Sequence, residues 1–349
     1  MNYNRYKLSS ITSTELDQYL EKGWYRMGLS IFTTQYLIFD KKIYNAVWLR
    51  IAMLGYGLRK SHRKLINKIE KRFTVKINDA QITEEKELLF EEYKLNFKGD
   101  LYSSLKMYMQ DNENYNIYDT KQCCIYDNGE LIAFSFFDIG EKSSAGILAA
   151  YNHNYANHSL GIYTMLKEIL FSKEINLEYY YPGYFVPQYQ RFDYKCNLGE
   201  TEYFNYYSKS WLSLNSFSSD QNLAVTLQNN ILHLYNRIKQ NGVNTFVILY
   251  KCWELGDFCI NQGQIYNHPL FLLCEKNGLY YVAEYCPLQA FYRLSLLKKP
   301  KYFRYTKNKQ TFENELILEI HNLLECDTFL FATGDSGEII NFLSTKIIT

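Results

Sequence analysis

The residues best suited to chemistry cluster in one short stretch, LEYYYPGYFVPQYQRFDYK (177–195). Arg191 and Lys195 are cations suited to phosphate. Tyr184 and Tyr194 offer flat rings for stacking and hydroxyls for hydrogen bonds. Pro182-Gly183 interrupts the run, so it divides into an aromatic core strand, Leu177 to Tyr181, and a second half that faces a ligand. Tyrosine is abundant throughout, at 34 of 349 residues, so each of these tyrosines is equally at home in a core.

A second cluster is basic. In GLRKSHRKLINKIEKRFTVK (57–76), Leu65, Ile66, Ile69 and Phe73 recur at helical spacing. Arg59, Lys60, Arg63, Lys64, Lys68, Lys71, Arg72 and Lys76 are opposed by Glu70 alone. Such a helix buries its apolar stripe and turns its cations outward, as a solvated face or as a contact to a phosphate backbone. The whole chain carries 38 basic and 37 acidic residues, a net charge of +1, so a nucleic-acid role requires a local patch of this kind.

The eight cysteines form no C-x-x-C pair and have no histidine at zinc-finger spacing. They read as reduced thiols. The first residues lack a signal-peptide layout, and no apolar run reaches the ~18 residues of a membrane helix. The expectation is a cytoplasmic protein that touches no membrane.

The elements that must position these residues follow from periodicity and turn chemistry. ITEEKELLFEEYKLNF (82–97) reads as a helix opened by Thr83. Asn128-Gly129 sits between two apolar runs, a hairpin signal, and SSAGILAAYN (143–152) follows as a third strand. NHSLGIYTMLKEILFSKEINL (157–177) turns from loop to helix, with Ser159 as the expected side-chain cap and Leu160, Tyr163, Leu166, Ile169 and Leu170 as the buried stripe. The aromatic strand comes next. Beyond a Ser/Asn-rich boundary at 213–222, the expected elements are a helix, a strand, a hairpin turning at Asn277-Gly278, a helix over 312–325 and a last strand. The predicted organisation is a basic N-terminal region (1–80), an α+β domain (81–212) and a further α+β domain (213–349) of unassigned role.

Helix, antiparallel hairpin, third strand, helix, strand is the order of the acetyltransferase-like (GNAT) α+β fold. More specifically, His158-Ser159-Leu160-Gly161-Ile162-Tyr163 resembles the Arg-Ser-Leu-Gly-Thr-Tyr element of the arginyl/leucyl-tRNA–protein transferases. Tyr181-Pro182-Gly183-Tyr184-Phe185-Val186 followed by Arg191-Phe192-Asp193-Tyr194-Lys195 resembles that family's Tyr-Leu-Gly-Tyr-(Tyr/Trp)-Ile and Lys-Met-x-Tyr-Lys, without insertion. ELDQYLEKGWYRMG (15–28), and Arg50 followed by the basic helix, resemble its upstream elements. Asp138 falls where the family ends a hairpin strand just before a Ser-Ser pair, here Ser143-Ser144.

The resemblance implies transfer of an amino acid, of arginine or leucine type, from aminoacyl-tRNA onto a protein or peptide N-terminus. It implies no cofactor beyond that co-substrate, and no DNA partner. Asp138, Tyr184 and Tyr194 become the expected catalytic residues, with Asp138 receiving the acceptor ammonium. Arg63, Lys64, Lys68, His158, Ser159, Gly161, Gly183, Arg191 and Lys195 become the expected substrate- and tRNA-binding set.

There are departures. The family's N-terminal cysteine cluster is missing from residues 31–51, so no metal is expected there. Its Asp-Pro-Asp is Asn152-His153-Asn154, and its arginine is His158, a weaker phosphate partner. Aligning Gly161 with the first glycine of the acetyltransferase phosphate signature puts Tyr163 at the second small position, where it is expected to obstruct a CoA-like donor. A CoA-dependent N-acyltransferase and a non-catalytic tRNA- or protein-binding relative stand as alternatives.

Overall fold

The computed structural model describes residues 3–97, 101–254, 266, 268–298, 304–312 and 315–345. Cys259 lies outside the described residues. The chain divides into two compact units. One comprises Arg5–Thr33 and Val47–Phe217; the other comprises residues 1–4, Thr34–Ala46 and residues 218–349.

The first unit is a mixed eight-stranded sheet between helical layers. Its strands are β1 (Val47–Ala52), β2 (Thr74–Asp79), β3 (Thr120–Asp127), β4 (Glu130–Ile139), β5 (Ser143–Tyr151), β6 (Tyr179–Phe185), β7 (Thr201–Asn205) and β8 (Ser210–Ser213). Their spatial order is β8-β7-β1-β6-β5-β4-β3-β2. The helices are α1 (Ser13–Glu21), α2 (Lys60–Glu70), α3 (Glu84–Asn96), α4 (Leu105–Gln110) and α5 (Leu160–Glu174).

Helices α2 and α5 cover one face. Ile66, Ile69, Leu160, Tyr163, Leu166 and Ile169 pack there on Ile51, Ile125, Ile132 and Tyr180. Helices α3 and α4 cover the other, through Leu89, Phe90, Leu105 and Met109 on Cys124, Phe134 and Phe136. Thr83 caps α3 as expected, its side chain accepting from the Lys86 N–H. Asn128 and Gly129 turn the β3–β4 hairpin with φ of 50° and 93°, the left-handed pair that Asn-Gly supplies cheaply. The α+β class and the order α3, hairpin, β5, α5, β6 are those expected from the sequence.

Strands β5 and β6 are parallel neighbours only from Ser143–Tyr179 to Ala145–Tyr181. Beyond those three pairs they part. A bulge between Gly146 and Leu148 bends β5, and one between Tyr180 and Gly183 bends β6, where Gly183 has φ +86°. The parting opens a fork in the middle of the sheet.

The second unit has a seven-stranded sheet with α6 (Leu223–Gln240) and α7 (Ser336–Ser344). Its strands are β9 (Asn244–Tyr250), β10 (Leu270–Lys276), β11 (Leu279–Cys286), β12 (Phe291–Leu297), β13 (Tyr305–Phe312), β14 (Glu315–Ile320) and β15 (Cys326–Thr333), in the order β13-β14-β9-β10-β11-β12-β15. The segment expected to be a helix over 312–325 is instead β14, a strand parallel to β9. Ile317, Glu319 and Ile320 are buried there, because a parallel interior strand is covered on both faces and reads as a continuous apolar run.

Candidate active site

The fork holds a cavity of about 370 Å³. Gly146 to Ala149 of β5 line one wall; Pro182, Arg191, Phe192, Tyr194 and Lys195 line the other. The first turn of α5, Ser159 to Ile162, closes one end, and Tyr93 and Phe97 close another. Parting strands cannot hydrogen-bond across the gap, so helix termini and side chains fill it instead.

The α5 end differs from expectation in one detail. Ser159 stands at the cap position with φ +54°, and its side chain makes no capping hydrogen bond. The opening N–H groups of a helix have no intrahelical acceptors, and the dipole favours an anion beside them. A Cβ added to Gly161 would meet only Tyr151, at 3.9 Å, so a ligand can approach the backbone there.

Tyr163 does not obstruct this approach. It is fully buried among α2 and α5 side chains, and its hydroxyl donates to Glu70 at 3.2 Å. The steric case against a CoA-like donor therefore falls. A helix presents a new face every residue, and position 163 points away from the position occupied by Gly161.

The structure thus brings Ser159, Gly161, Arg191, Tyr194 and Lys195 together around one cavity. Arg191 stacks its guanidinium on Phe97 at 3.7 Å. Lys195 places its ammonium 5.5 Å from the Tyr184 ring and 5.4 Å from the Phe192 ring, and forms no ion pair among the described residues. Burial depresses its pKa to about 8. Gly183 is the reason it fits: a Cβ there would lie 3.1 Å from the Lys195 nitrogen. Tyr184 does not line the cavity; its ring sits edge-on to Trp48 at 5.2 Å.

Asp138 lies elsewhere. It is fully buried, with Arg26 donating to it at 2.7 Å and Thr120 at 2.6 Å, while its second oxygen has no hydrogen-bond partner. Burial pushes its carboxyl up against the pull of the guanidinium. Arg26 also donates to Gly28 and Asn116, so this buried pair ties the N-terminal segment to the sheet.

Arg63, Lys64 and Lys68 are exposed on α2 with Lys60, and Arg59, Lys71, Arg72 and Lys76 are exposed on the segments flanking it. His158 joins them, with its ring edge-on to Phe73 at 5.2 Å. Burial lowers the His158 pKa, and repulsion from Arg72 and Lys68 lowers it further. A run of cations therefore leads from α2 to the residue preceding the α5 terminus. Asn152, one of the two asparagines at the family's carboxylate positions, accepts from the Asn154 N–H at 2.9 Å and shapes the loop before α5.

Among the lining residues missed by sequence reasoning is a carboxylate. Glu168 is 1% exposed, lines the cavity, and accepts from the Tyr180 hydroxyl at 2.6 Å. No cation pairs with it among the described residues. Burial raises its pKa to about 7, partly offset by the Ser135 and Tyr180 hydroxyls. The signal was present: Thr164, Glu168 and Ser172 repeat every four residues as a buried polar stripe in an otherwise apolar helix. Among the described residues, no group of three or more His, Cys, Asp or Glu side chains is arranged to hold a metal.

Comparison with known proteins finds a family match over this segment. A family model described as arginine-tRNA-protein transferase, C terminus, matches residues 85–205. An aspartate/glutamate leucyltransferase of Leptospira interrogans is 24% identical over 155 residues, 42% of this chain and 58% of that protein. One from Campylobacter jejuni is 28% identical over 211 residues, covering 56% and 83%. Arginyl-tRNA–protein transferase 1 of Saccharomyces cerevisiae is 32% identical over 76 residues, covering 22% and 15%. The chain thus spans 58% of the length of the Leptospira relative. Among solved structures, a GCN5-related N-acetyltransferase from Kribbella flavida gives a TM-score of 0.25 at 13% identity, covering 39% of this chain and 46% of that one. The matched residues 85–205 contain β5, α5 and β6, the elements that build the cavity, so it is in this segment that the chain is similar to the arginine-tRNA-protein transferases.

Proposed function

We propose that this chain is an aminoacyl-tRNA-dependent transferase that adds an amino acid, of arginine or leucine type, to the N-terminus of a protein or peptide in the cytoplasm. The supporting observation is that the family-matched segment is the one that forks the sheet and encloses the cavity. An aminoacyl ester is already activated, so the reaction needs positioning, proton transfer and oxyanion stabilisation rather than ATP. In this reading the α5 terminus and Lys195 receive anionic groups of the donor. Arg191 and Tyr194 hold its terminal nucleoside. The cations of α2 track the acceptor stem, and Asp138 and Tyr184 support the site from outside the cavity. The second unit, built mainly from residues 218–349, recruits the acceptor or a second copy.

The test incubates the chain with each labelled aminoacyl-tRNA and peptides differing in their first residue. Label is expected in at least one peptide. No label in any pairing sinks the reading.

A CoA-dependent N-acyltransferase is favoured by one observation, the open approach to Gly161 with Tyr163 turned into the core. It predicts a thermal shift with acetyl-CoA. Binding of tRNA without any transfer points instead to a non-catalytic relative.

A further inference from the structure

Glu168 is placed at the bottom of the fork by interactions that have no evident purpose in folding alone. Its Oε2 lies so near β5 that a Cβ on Gly146 would come within 2.7 Å of it, and within 2.5 Å of the Tyr180 hydroxyl. Only glycine at 146 leaves room for the carboxylate beside the strand. The helix holding it is fixed there by Ser172, which donates to the Glu168 carbonyl at 2.7 Å and contacts the Ser144 hydroxyl at 2.6 Å. A buried carboxylate with no paired cation is costly, and that cost falls when a cationic or proton-donating ligand enters.

We propose that Glu168 is the proton acceptor of the transfer step, receiving the acceptor's α-amine in the fork. This rests on the aminoacyl-transfer reading above. The amine nitrogen forms a bond to the ester carbonyl carbon, and the carbonyl π pair moves onto its oxygen. The N–H proton passes to Glu168. On collapse the C–O bond to the tRNA ribose breaks, and Glu168 returns the proton to the ribose oxygen. The products are an amide and a free ribose hydroxyl, with Glu168 again a carboxylate.

The surroundings suit this role. The titratable groups facing Glu168 are Tyr180 of β6, Tyr25 of the short strand Tyr25–Met27, Cys123 of β3 and Tyr194 at the cavity wall. Burial pushes all four up, so they stay neutral where Glu168 titrates. Lys195, on the far wall, carries the compensating charge for the donor's anionic groups.

Glu168→Gln keeps the size and can still accept from Tyr180. Single-turnover transfer by the full chain, from pH 5.5 to 9, is compared between wild type and this variant on a peptide that the wild type uses. The wild-type rate falls as pH drops through about 7 and the carboxylate protonates. The variant is slower by about 10²-fold or more, lacks that limb, and retains labelled aminoacyl-tRNA on a filter as the wild type does. A rate within about threefold of wild type, or a slow variant that keeps the limb, overturns the proposal.

Should Glu168→Gln fail to fold, Tyr180→Phe decides. Removing the hydroxyl that favours the charged carboxylate moves the limb to higher pH, and an unmoved limb overturns the proposal. A wild-type chain that transfers nothing sinks the transferase reading and this proposal with it, whereas an active wild type with an equally active variant sinks only the proposal.

Discussion

Tyr25 donates to the carbonyl oxygen of Gly146 at 2.7 Å, at the point where β5 and β6 part. The same hydroxyl lies 2.5 Å from the Tyr181 carbonyl on the other arm. One buried phenol therefore reaches a carbonyl on each arm of the fork, and its single proton is shared between them. Tyr25→Phe keeps the ring and removes that donor from both acceptors. The expected loss is about 1–3 kcal/mol in the urea unfolding free energy. A variant as stable as wild type would show that the phenol only fills space.

Lys195 predicts how donor binding depends on pH. Its pKa is depressed to about 8 by burial, so it loses its charge as pH rises through that value. A bound phosphate favours the ammonium form and raises this pKa. Affinity for aminoacyl-tRNA should therefore weaken between about pH 8 and pH 10, and this slope should vanish in Lys195→Met. Titrations at several pH values check it. The free protein has a matching signature. The unfolded lysine binds its proton up to its ordinary, higher pKa, so this group makes stability rise with pH from about 8 upward.

The cations of α2 predict a salt effect. Reversing Arg63, Lys64 and Lys68 to glutamate should weaken tRNA binding and flatten the log–log salt dependence by up to about 2–3 units, near one per lost phosphate contact. Peptide binding should be unaffected. An unchanged slope would return this face to ordinary solvated surface.

Gly146→Ala tests the fit between β5 and the carboxylate. The added methyl meets the Tyr180 hydroxyl and Glu168 at less than van der Waals distance, both inside the core. A thermal-unfolding loss equivalent to about 1–3 kcal/mol is expected, with transfer falling further than folding explains. Gly129→Ala is the control. Nothing lies within 4 Å of its added Cβ, so its cost comes from the +93° φ alone and should leave the neutral-pH limb where it was.

Much of this architecture was legible in the sequence because its signals are local. Asn128-Gly129 and Asn277-Gly278 each demand two positive φ angles, and both turn hairpins. Thr83 and the glutamates after it open α3. Where the structure differs from expectation, each difference has its own physical cause. Residues 315–320 have helix-forming residues but pair with β9, and the parallel neighbour decides. Ser159 was expected to cap α5, yet its left-handed backbone turns the side chain away from the helix. Glu168 adjoins Lys167 in the sequence, yet the fold buries Glu168 while Lys167 pairs with Glu70. Asp138 and Tyr184 hold motif positions but do not line the cavity, because motif position does not reveal which side of a strand faces the opening.

The sheet order also sets a timetable for folding. Strand β1 lies between β6 and β7, so Ala52 must wait for Tyr179 and Leu49 for Tyr203, each more than a hundred residues downstream. At a synthesis rate of about 5–20 residues per second, β1 emerges several seconds before either neighbour exists. During that interval VWLRIA is an unpaired apolar strand, and the hairpin β3–β4 with α3 can assemble without it. The fork acquires its second arm only when β6 docks between β5 and the waiting β1. Closing the cavity and completing the sheet are then a single late event, and a chain stalled before residue 179 carries neither.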